Sequence, residues 1–187
     1  TKQFMKLHPD YFASDNLVEF VIDNGDFETS NYNLCHFWSN FEIGDINFFR
    51  SKQYKDYFEY LDKTGGFFYE RWGDAPVHSI AASLFLNKSQ VYHFKDIGYV
   101  HDGMGHCPLG EKQFHENGKC DCNVVDSVTL LEDYCMGDWW FASREGRPPE
   151  REEYKALIDE LELEDVWIEE GEGEEGGQED ENAGDEN

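Results

Sequence analysis

Three short segments of this sequence combine acidic, basic and aromatic side chains that could bind a sugar or a metal ion. The first spans residues 36–45, HFWSNFEIGD, where Glu42 and Asp45 follow Trp38. An aromatic ring offers an apolar face to the C–H groups of a pyranose. A carboxylate beside an anomeric carbon acts as a nucleophile or stabilises an oxocarbenium-like centre. Glu42 is therefore a candidate catalytic residue, and the simpler alternative is a carboxylate that faces solvent.

The second segment, residues 67–79, has the sequence FFYERWGDAPVHS and concentrates its polar groups between an aromatic pair and a helix pattern. Its candidate binding residues are Tyr69, Arg71, Asp74 and His78. Functional groups often lie on such loops, which a rigid scaffold holds in place. Two structural alternatives stay open, because Asp74 could cap the following helix and His78 could be a hydrogen-bonded core histidine.

The third segment, residues 97–110, has the sequence IGYVHDGMGHCPLG and contains His101 beside Asp102. It follows a strand predicted at residues 91–94, and ligands of open α/β sheets bind at the carboxyl ends of strands. An imidazole with carboxylate and phosphate oxygens suits Mn²⁺, whose charge would offset that of a departing diphosphate. His101 is thus the candidate metal ligand, whereas His106, next to Cys107, is interpreted as structural.

Helix and strand patterns alternate along the part of the chain that contains these segments. Apolar residues at helical spacing predict helices at 9–24, 45–62 and 77–86, the second with Tyr54, Tyr57, Phe58 and Leu61 on one face. Short apolar runs predict buried strands at 32–37, 67–70 and 91–94. Alternation of this kind is typical of a layered α/β domain, which we expect to occupy residues 1–150.

The charge of the chain is concentrated at its C-terminal end. Of 41 Asp and Glu residues, 15 fall within residues 159–187, which contain no Lys or Arg, and the formal net charge is −26. We expect a terminal helix at residues 151–168 and a disordered Glu/Gly-rich tail at 169–187, because that composition cannot bury apolar surface. The acidic balance argues against nucleic acid as a partner.

The five cysteines favour disulfide bonds over a zinc site. Four of them lie within residues 107–135, and the closest two, Cys120 and Cys122, are separated by one residue rather than the two that zinc sites prefer. Disulfides would indicate an oxidising compartment. The odd cysteine would then pair outside this chain. Residue 1 is Thr and no signal peptide or membrane-spanning run is visible, so we expect the chain to lack its N-terminal part.

Three strings of the sequence together resemble one known family. They are YNLCHFWSNFEIGDINFFR (32–50), GGFFYERWGDAPVHSIAASLFL (65–86) and DIGYVHDGMGHCP (96–108). In order and spacing they are similar to blocks of the fungal α-1,2-mannosyltransferases of the Kre2/Mnt1 type. The resemblance covers about residues 1–125. It implies the C-terminal portion of a GT-A-like, Rossmann-like α/β domain that transfers mannose from GDP-mannose, with retention, to acceptors of O- and N-linked glycans.

The resemblance also implies roles for individual residues. Glu42 matches the carboxylate proposed as nucleophile, and Trp38 and Asp74 match positions associated with sugar binding. His101 matches the histidine ligand of Mn²⁺, with His78 as the alternative. Two further substrate-binding candidates, Tyr69 and Arg71, are included only because they are neighbours in the sequence.

The same family implies a type II membrane protein of the Golgi, with its membrane anchor in the missing N-terminal part and its catalytic domain in the lumen. The family's carboxylate metal ligand lies in an E-P-D-like motif, and these 187 residues contain no such motif. We therefore expect this segment alone to be inactive. A non-catalytic glycan-binding module is the alternative function.

Overall fold

The computed structural model describes residues 1–23, 25–116, 119–131 and 135–145. The helix expected at 151–168 and the tail expected at 169–187 lie outside these residues. Within them, the α-helices and strands are α1 (Lys2–Leu7), α2 (Ile46–Phe49), α3 (Lys52–Lys63), α4 (Gly66–Tyr69), α5 (Asp74–Phe85), β1 (Tyr99–His101), β2 (Met104–His106), α6 (Glu111–Phe114) and α7 (Met136–Ser143). None of the helices in this part of the chain is long and apolar enough to cross a membrane.

Helices α3 and α5 pack against α1 to form the larger hydrophobic core. The side chain of Ser51 caps α3 by accepting a hydrogen bond from the backbone N–H of Tyr54. Tyr54, Tyr57 and Leu61 recur at helical spacing and are buried, whereas Phe58, expected on the same face, is exposed. The core consists of Phe4, Met5, Tyr54, Tyr57, Leu61, Val77, Ala81 and Leu84. Each large apolar side chain buried here stabilises the fold by about 1.5–3 kcal/mol.

The second core forms where α7 packs against a 3₁₀-helix at Val18–Phe20. Its central contacts join Phe20 to Phe37 and Trp139, with ring centroids 4.8 and 5.7 Å apart. A disulfide between Cys35 and Cys135 closes a loop across 100 residues and fastens residues 33–37 to the start of α7. The segment that leads into Trp38 and Glu42 is therefore attached covalently to this core.

Two predicted helices are interrupted by polar side chains. In the first, which the structure describes as far as residue 23, the helical parts are two 3₁₀ turns, Pro9–Tyr11 and Val18–Phe20. Between them, Asn16 bonds to the backbone of Ala13 and Val18, so its side chain competes with helical hydrogen bonding. The helix predicted at 45–62 is divided into α2 and α3, because Asp45 caps the first and Ser51 caps the second.

The three predicted strands are wrong. Residues 67–70 lie mostly in α4, because a four-residue apolar run does not distinguish helix from strand. Residues 32–37 form a single bridge, between Ile22 and Tyr32, and the side chains of Asn33 and Ser79 satisfy nearby backbone groups instead. Residues 91–94 belong to neither strand of the described sheet.

That sheet is a two-stranded antiparallel hairpin in which His101 pairs with Met104. Its turn residues, Asp102 and Gly103, have φ angles of 49° and 77°. A type I′ turn requires positive φ at both central residues, and Asp-Gly is one of its preferred sequences. His101 is therefore the last residue of β1, before a tight turn, and does not follow the strand predicted at 91–94.

The cysteines confirm the expectation of disulfides. Besides Cys35–Cys135, Cys107 bonds to Cys122, and Cys120 lies in neither bond. Over the described part of the chain, the one group with three possible metal ligands close together is Cys107, Cys122 and His115. Because its two sulfurs are bonded to each other, it retains only the histidine as a ligand.

Two half-buried histidines link the hairpin to α7 and make stability depend on pH. His93 contacts Trp140 and Glu145, and His106 bonds to the Thr129 hydroxyl at 2.6 Å. Burial lowers the pKa of His93 despite the opposing effect of Glu145, and burial and the His93 charge lower the pKa of His106. The folded protein thus binds fewer protons than the unfolded chain below a pH of about 6.5.

Acidification from pH 7.5 to 5.5 should therefore lower the midpoint of thermal unfolding, by about a few degrees. Calorimetric melts across this range would measure the fall. The double variant His93→Gln/His106→Asn, in which Asn can still bond Thr129, should show a smaller fall. An equal fall in the variant would assign the pH dependence to other groups.

Candidate active site

Glu42 and His78 are brought together although 36 residues separate them in the sequence. The Nδ1 atom of His78 lies 2.9 Å from Oε2 of Glu42. The side chain of His78 is 32% exposed and that of Glu42 is 33% exposed, so the pair is accessible from solvent but partly enclosed. His78 lies in α5, whereas Glu42 lies in a segment without regular structure just before α2. Helix α5 therefore fixes, through His78, a carboxylate that the irregular segment around Glu42 would not hold in one orientation.

Two aromatic rings pack against the histidine of this pair. The ring centroid of His78 lies 5.2 Å from that of Phe49 and 6.1 Å from that of Tyr54. Burial, together with the charges of Glu42 and Asp74, raises the pKa of Tyr54 to about 12. The Tyr54 hydroxyl therefore stays protonated at neutral pH, and the carboxylates of Glu42 and Asp74 are close enough to influence the same group.

Asp74 begins α5, and its carboxylate lies in the first turn of that helix. The N-cap position belongs to Gly73, which has no side chain to accept a hydrogen bond. The alternative that Asp74 caps the helix through its side chain is therefore not realised. An acidic residue in the first turn still interacts favourably with the positive end of the helix dipole, and Asp74 remains exposed.

Trp38 and His101 form a second cluster with Tyr99. The Trp38 ring packs edge-on against Tyr99 and His101, with centroids 5.7 and 6.1 Å away. Nε2 of His101 is 3.4 Å from a carboxylate oxygen of Asp102, and both side chains are exposed, at 48% and 85%. The hairpin therefore presents an imidazole and a carboxylate to solvent beside an aromatic surface, which is a donor set that suits Mn²⁺.

The two clusters are connected through consecutive residues of α5. The backbone N–H of Phe37 donates a 2.8 Å hydrogen bond to the hydroxyl of Ser79, which is itself buried. Because Phe37 precedes Trp38 and Ser79 follows His78, this bond positions the Trp38 cluster relative to the Glu42–His78 pair.

Within the described part of the chain, Tyr69 and Arg71 form no hydrogen bond, ion pair or ring contact with either cluster. Tyr69 is 86% exposed at the end of α4. Arg71 is exposed and has a φ of 55°, in the left-handed region. Their neighbour Trp72 folds back over Gly66, where an added Cβ would lie 2.5 Å from the indole ring. The geometry thus supplies no specific argument for their role in binding.

The contacts also include residues that the sequence analysis did not select for a site. Phe49 and Tyr54 pack against His78, and Tyr99 packs against Trp38. Tyr54 was identified only as part of a helix face. The Asp-Gly turn was the available signal for Tyr99, because a strand that ends at His101 places residues 99 and 101 on the same face.

Comparison with known proteins gives a family match over most of the chain. The model of the family described as "Glycolipid 2-alpha-mannosyltransferase" matches residues 1–144. O-glycoside alpha-1,2-mannosyltransferase homolog 3 of Schizosaccharomyces pombe is 50% identical over 139 residues, which cover 74% of this chain and 36% of that protein. Glycolipid 2-alpha-mannosyltransferase 2 of Candida albicans is 47% identical over 155 residues, 83% of this chain and 33% of its own length.

The solved structures that resemble this chain are also mannosyltransferases. The Mn/GDP form of core-mannan synthase A (CmsA/Ktr4) from Aspergillus fumigatus superposes with a TM-score of 0.63 at 38% identity, over 76% of this chain and 39% of that one. The mannosyltransferase Ktr4p of Saccharomyces cerevisiae in complex with GDP gives a TM-score of 0.62 at 36% identity, over 81% and 39%. The chain thus spans about a third of the length of the curated relatives it matches. These likenesses confirm the expected class, part of a GT-A-like α/β glycosyltransferase domain.

Proposed function

The chain belongs to the glycolipid 2-alpha-mannosyltransferase family, and from this we propose that it is part of a retaining α-1,2-mannosyltransferase. The enzyme would transfer mannose from GDP-mannose to mannoside acceptors of O- and N-linked glycans. The observation that carries the proposal is the Glu42–His78 pair, a partly exposed carboxylate held by a helix beside an aromatic cluster. The relatives of known structure bind GDP, and one also binds Mn, which supports a nucleotide-sugar donor and a manganese cofactor.

Glu42 would act at the anomeric carbon of the donor mannose. During transfer the bond from this carbon to the diphosphate oxygen breaks, and a bond to the 2-hydroxyl oxygen of the acceptor forms as that hydroxyl loses its proton. Positive charge develops on the sugar ring in between, and a carboxylate on the opposite face stabilises it or forms a transient covalent bond. Retention at the anomeric carbon is compatible with either role.

Trp38 and Asp74 would bind the sugar. The indole gives an apolar face for one side of the pyranose, and the exposed carboxylate of Asp74 accepts hydrogen bonds from hydroxyl groups. Tyr69 and Arg71 remain weaker candidates, based only on their position in the same loop.

His101 would ligate Mn²⁺ through its exposed imidazole, with Asp102 close enough to assist. Bound manganese would offset the negative charge of the diphosphate. His78 is less suitable as the alternative ligand, because it already contacts Glu42 and packs against two aromatic rings.

A manganese titration of mannosyl transfer tests this proposal. The full-length protein should transfer mannose from GDP-mannose to a mannoside acceptor, and His101→Ala should raise the Mn²⁺ concentration needed for half-maximal activity by about 10–100-fold or more. His8→Ala, which removes a histidine outside both clusters, is the matched control. An unaltered titration in His101→Ala would remove His101 from the metal site, and absence of transfer by the wild-type protein would contradict the proposed function.

A glycan-binding module without catalysis is the second candidate, because the Trp38–Tyr99 surface would serve binding equally well. Calorimetry separates the two functions: such a module would bind mannosides and ignore GDP-mannose, whereas a transferase would bind the nucleotide sugar in the presence of Mn²⁺.

We further propose that the active domain lies in the Golgi lumen, in a type II membrane protein whose anchor is outside this chain. The disulfides Cys35–Cys135 and Cys107–Cys122 agree with an oxidising compartment. This portion of the catalytic domain would comprise residues 1–150.

A further inference from the structure

We propose that His78 is a positioning residue for the catalytic carboxylate: its Nδ1–H donates to Oε2 of Glu42 and fixes the direction in which Oε1 points. This inference deepens the proposed function and rests on it. His78 then does not act as a metal ligand, and its contribution to turnover passes through Glu42.

The first argument is the difference in rigidity between the two partners. Glu42 lies in residues 41–45, which have no regular hydrogen-bonded structure, and its neighbours Phe41 and Ile43 are exposed, at 59% and 69%. His78 lies in the second turn of the 12-residue helix α5, between the buried residues Val77 and Ser79. A carboxylate on such a segment needs an external contact to hold one orientation, and this contact comes from the helix.

The second argument is how the imidazole itself is held. The rings of Phe49 and Tyr54 pack against it, and Phe49 and Tyr54 also pack edge-on against each other, with centroids 5.1 Å apart. A side chain constrained in this way can hold a reacting group within the small tolerance that catalysis requires.

The third argument concerns the two oxygens of the carboxylate. Oε2 accepts the hydrogen bond from His78, and none of the described residues forms a hydrogen bond or ion pair with Oε1. A bond to only one oxygen restricts rotation of the carboxylate and leaves the other oxygen able to approach an anomeric carbon. A nucleophile oriented by a neighbouring group in this way is a recurring arrangement in covalent catalysis.

A metal-ligand role for His78 predicts different surroundings. Histidine ligands often donate their second N–H to a carboxylate, so the Glu42 contact alone does not distinguish the two roles. The neighbours do, because the two rings packed on His78 supply no strong ligand.

Two substitutions of His78, one that keeps the Nδ1 donor and one that removes both ring nitrogens, distinguish the roles. In His78→Asn the amide nitrogen lies near the position of Nδ1 and can still donate to Glu42, whereas Nε2 is lost. Leu has nearly the shape of Asn but cannot donate, which makes His78→Leu the matched control. In the full-length protein, we expect His78→Leu to lower kcat by about 10–100-fold with little change in KM for GDP-mannose. His78→Asn should recover most of this loss and keep the wild-type Mn²⁺ titration.

A double-mutant comparison tests whether His78 acts through Glu42. In a Glu42→Gln background, His78→Leu should have little further effect on kcat, because the group that it positions has been replaced. Full additivity of the two losses would overturn the proposal. So would wild-type kcat in His78→Leu, or a loss in His78→Asn accompanied by a raised Mn²⁺ requirement.

A measurement without activity keeps the inference testable if a variant does not fold or no transfer occurs. In histidine-labelled protein, NMR should detect a slowly exchanging Nδ1 proton on His78 that disappears in Glu42→Ala. Absence of this proton in the wild-type protein would refute the contact. If the proton is present but wild-type protein transfers no mannose, the proposed function fails while the contact stands.

Discussion

Replacing Glu42 with Gln should lower kcat of the full-length protein by at least about 10³-fold, which is the scale of losing a group that acts directly on the transition state. Gln keeps the size of Glu and can still accept a hydrogen bond from His78. It lacks the negative charge that would stabilise the developing oxocarbenium-like centre. Because the donor sugar still fits, KM for GDP-mannose should change little.

Transfer of labelled mannose to a mannoside acceptor, followed under single-turnover conditions, would measure this loss. Glu59→Gln is the matched control, because Glu59 lies on the exposed side of α3 and forms only a surface ion pair with Lys63. Glu59→Gln should keep wild-type turnover. If Glu42→Gln keeps wild-type turnover as well, Glu42 is not the catalytic carboxylate.

Removing the disulfide between Cys35 and Cys135 should produce the largest loss of stability. Its two cysteines are 100 residues apart in the sequence, and a loop of this length restricts the unfolded chain strongly. The double variant Cys35→Ser/Cys135→Ser should lose about 2–5 kcal/mol of unfolding free energy. The segment before Trp38 would also lose its covalent link to α7.

Urea denaturation under non-reducing conditions would measure the difference. Cys120→Ser is the control, because Cys120 takes part in neither disulfide, and it should change the unfolding free energy far less. A double variant as stable as the wild-type protein would show that the packing of Trp139 against Phe20 and Phe37 holds this region without the bond.

The elements that the sequence predicted correctly are those with strong local signals. Helix α5 was expected at 77–86 and is found at Asp74–Phe85, because Pro76 suits a first helical turn and a long apolar run follows it. Tyr54, Tyr57 and Leu61 were likewise recognisable as one buried face. Short aromatic runs such as residues 67–70 were not, because their periodicity fits a helix or a strand equally well.

The site was predictable as a set of candidates but not as an arrangement. Residue type identified Glu42, Trp38, Asp74 and His101, and the family resemblance gave them roles. Nothing local reveals that His78 would face Glu42, since this contact depends on how α5 packs beside the segment before α2. The hairpin that carries His101 did have a local signal in Asp102-Gly103, although its strands were not among those predicted.

The hydrogen bonds that join His78 to Glu42 and Ser79 to the backbone of Phe37 also restrict the motion of the site. They hold residues 37 and 42, so the short stretch that contains Trp38 is tethered at both ends to neighbouring positions of one helix. Its fluctuations should therefore be smaller than its lack of regular structure implies, and opening it requires both bonds to break or α5 to unfold locally. Trp38 and Glu42 thus belong to one cooperative unit, in which breaking either hydrogen bond disturbs the positions of both side chains.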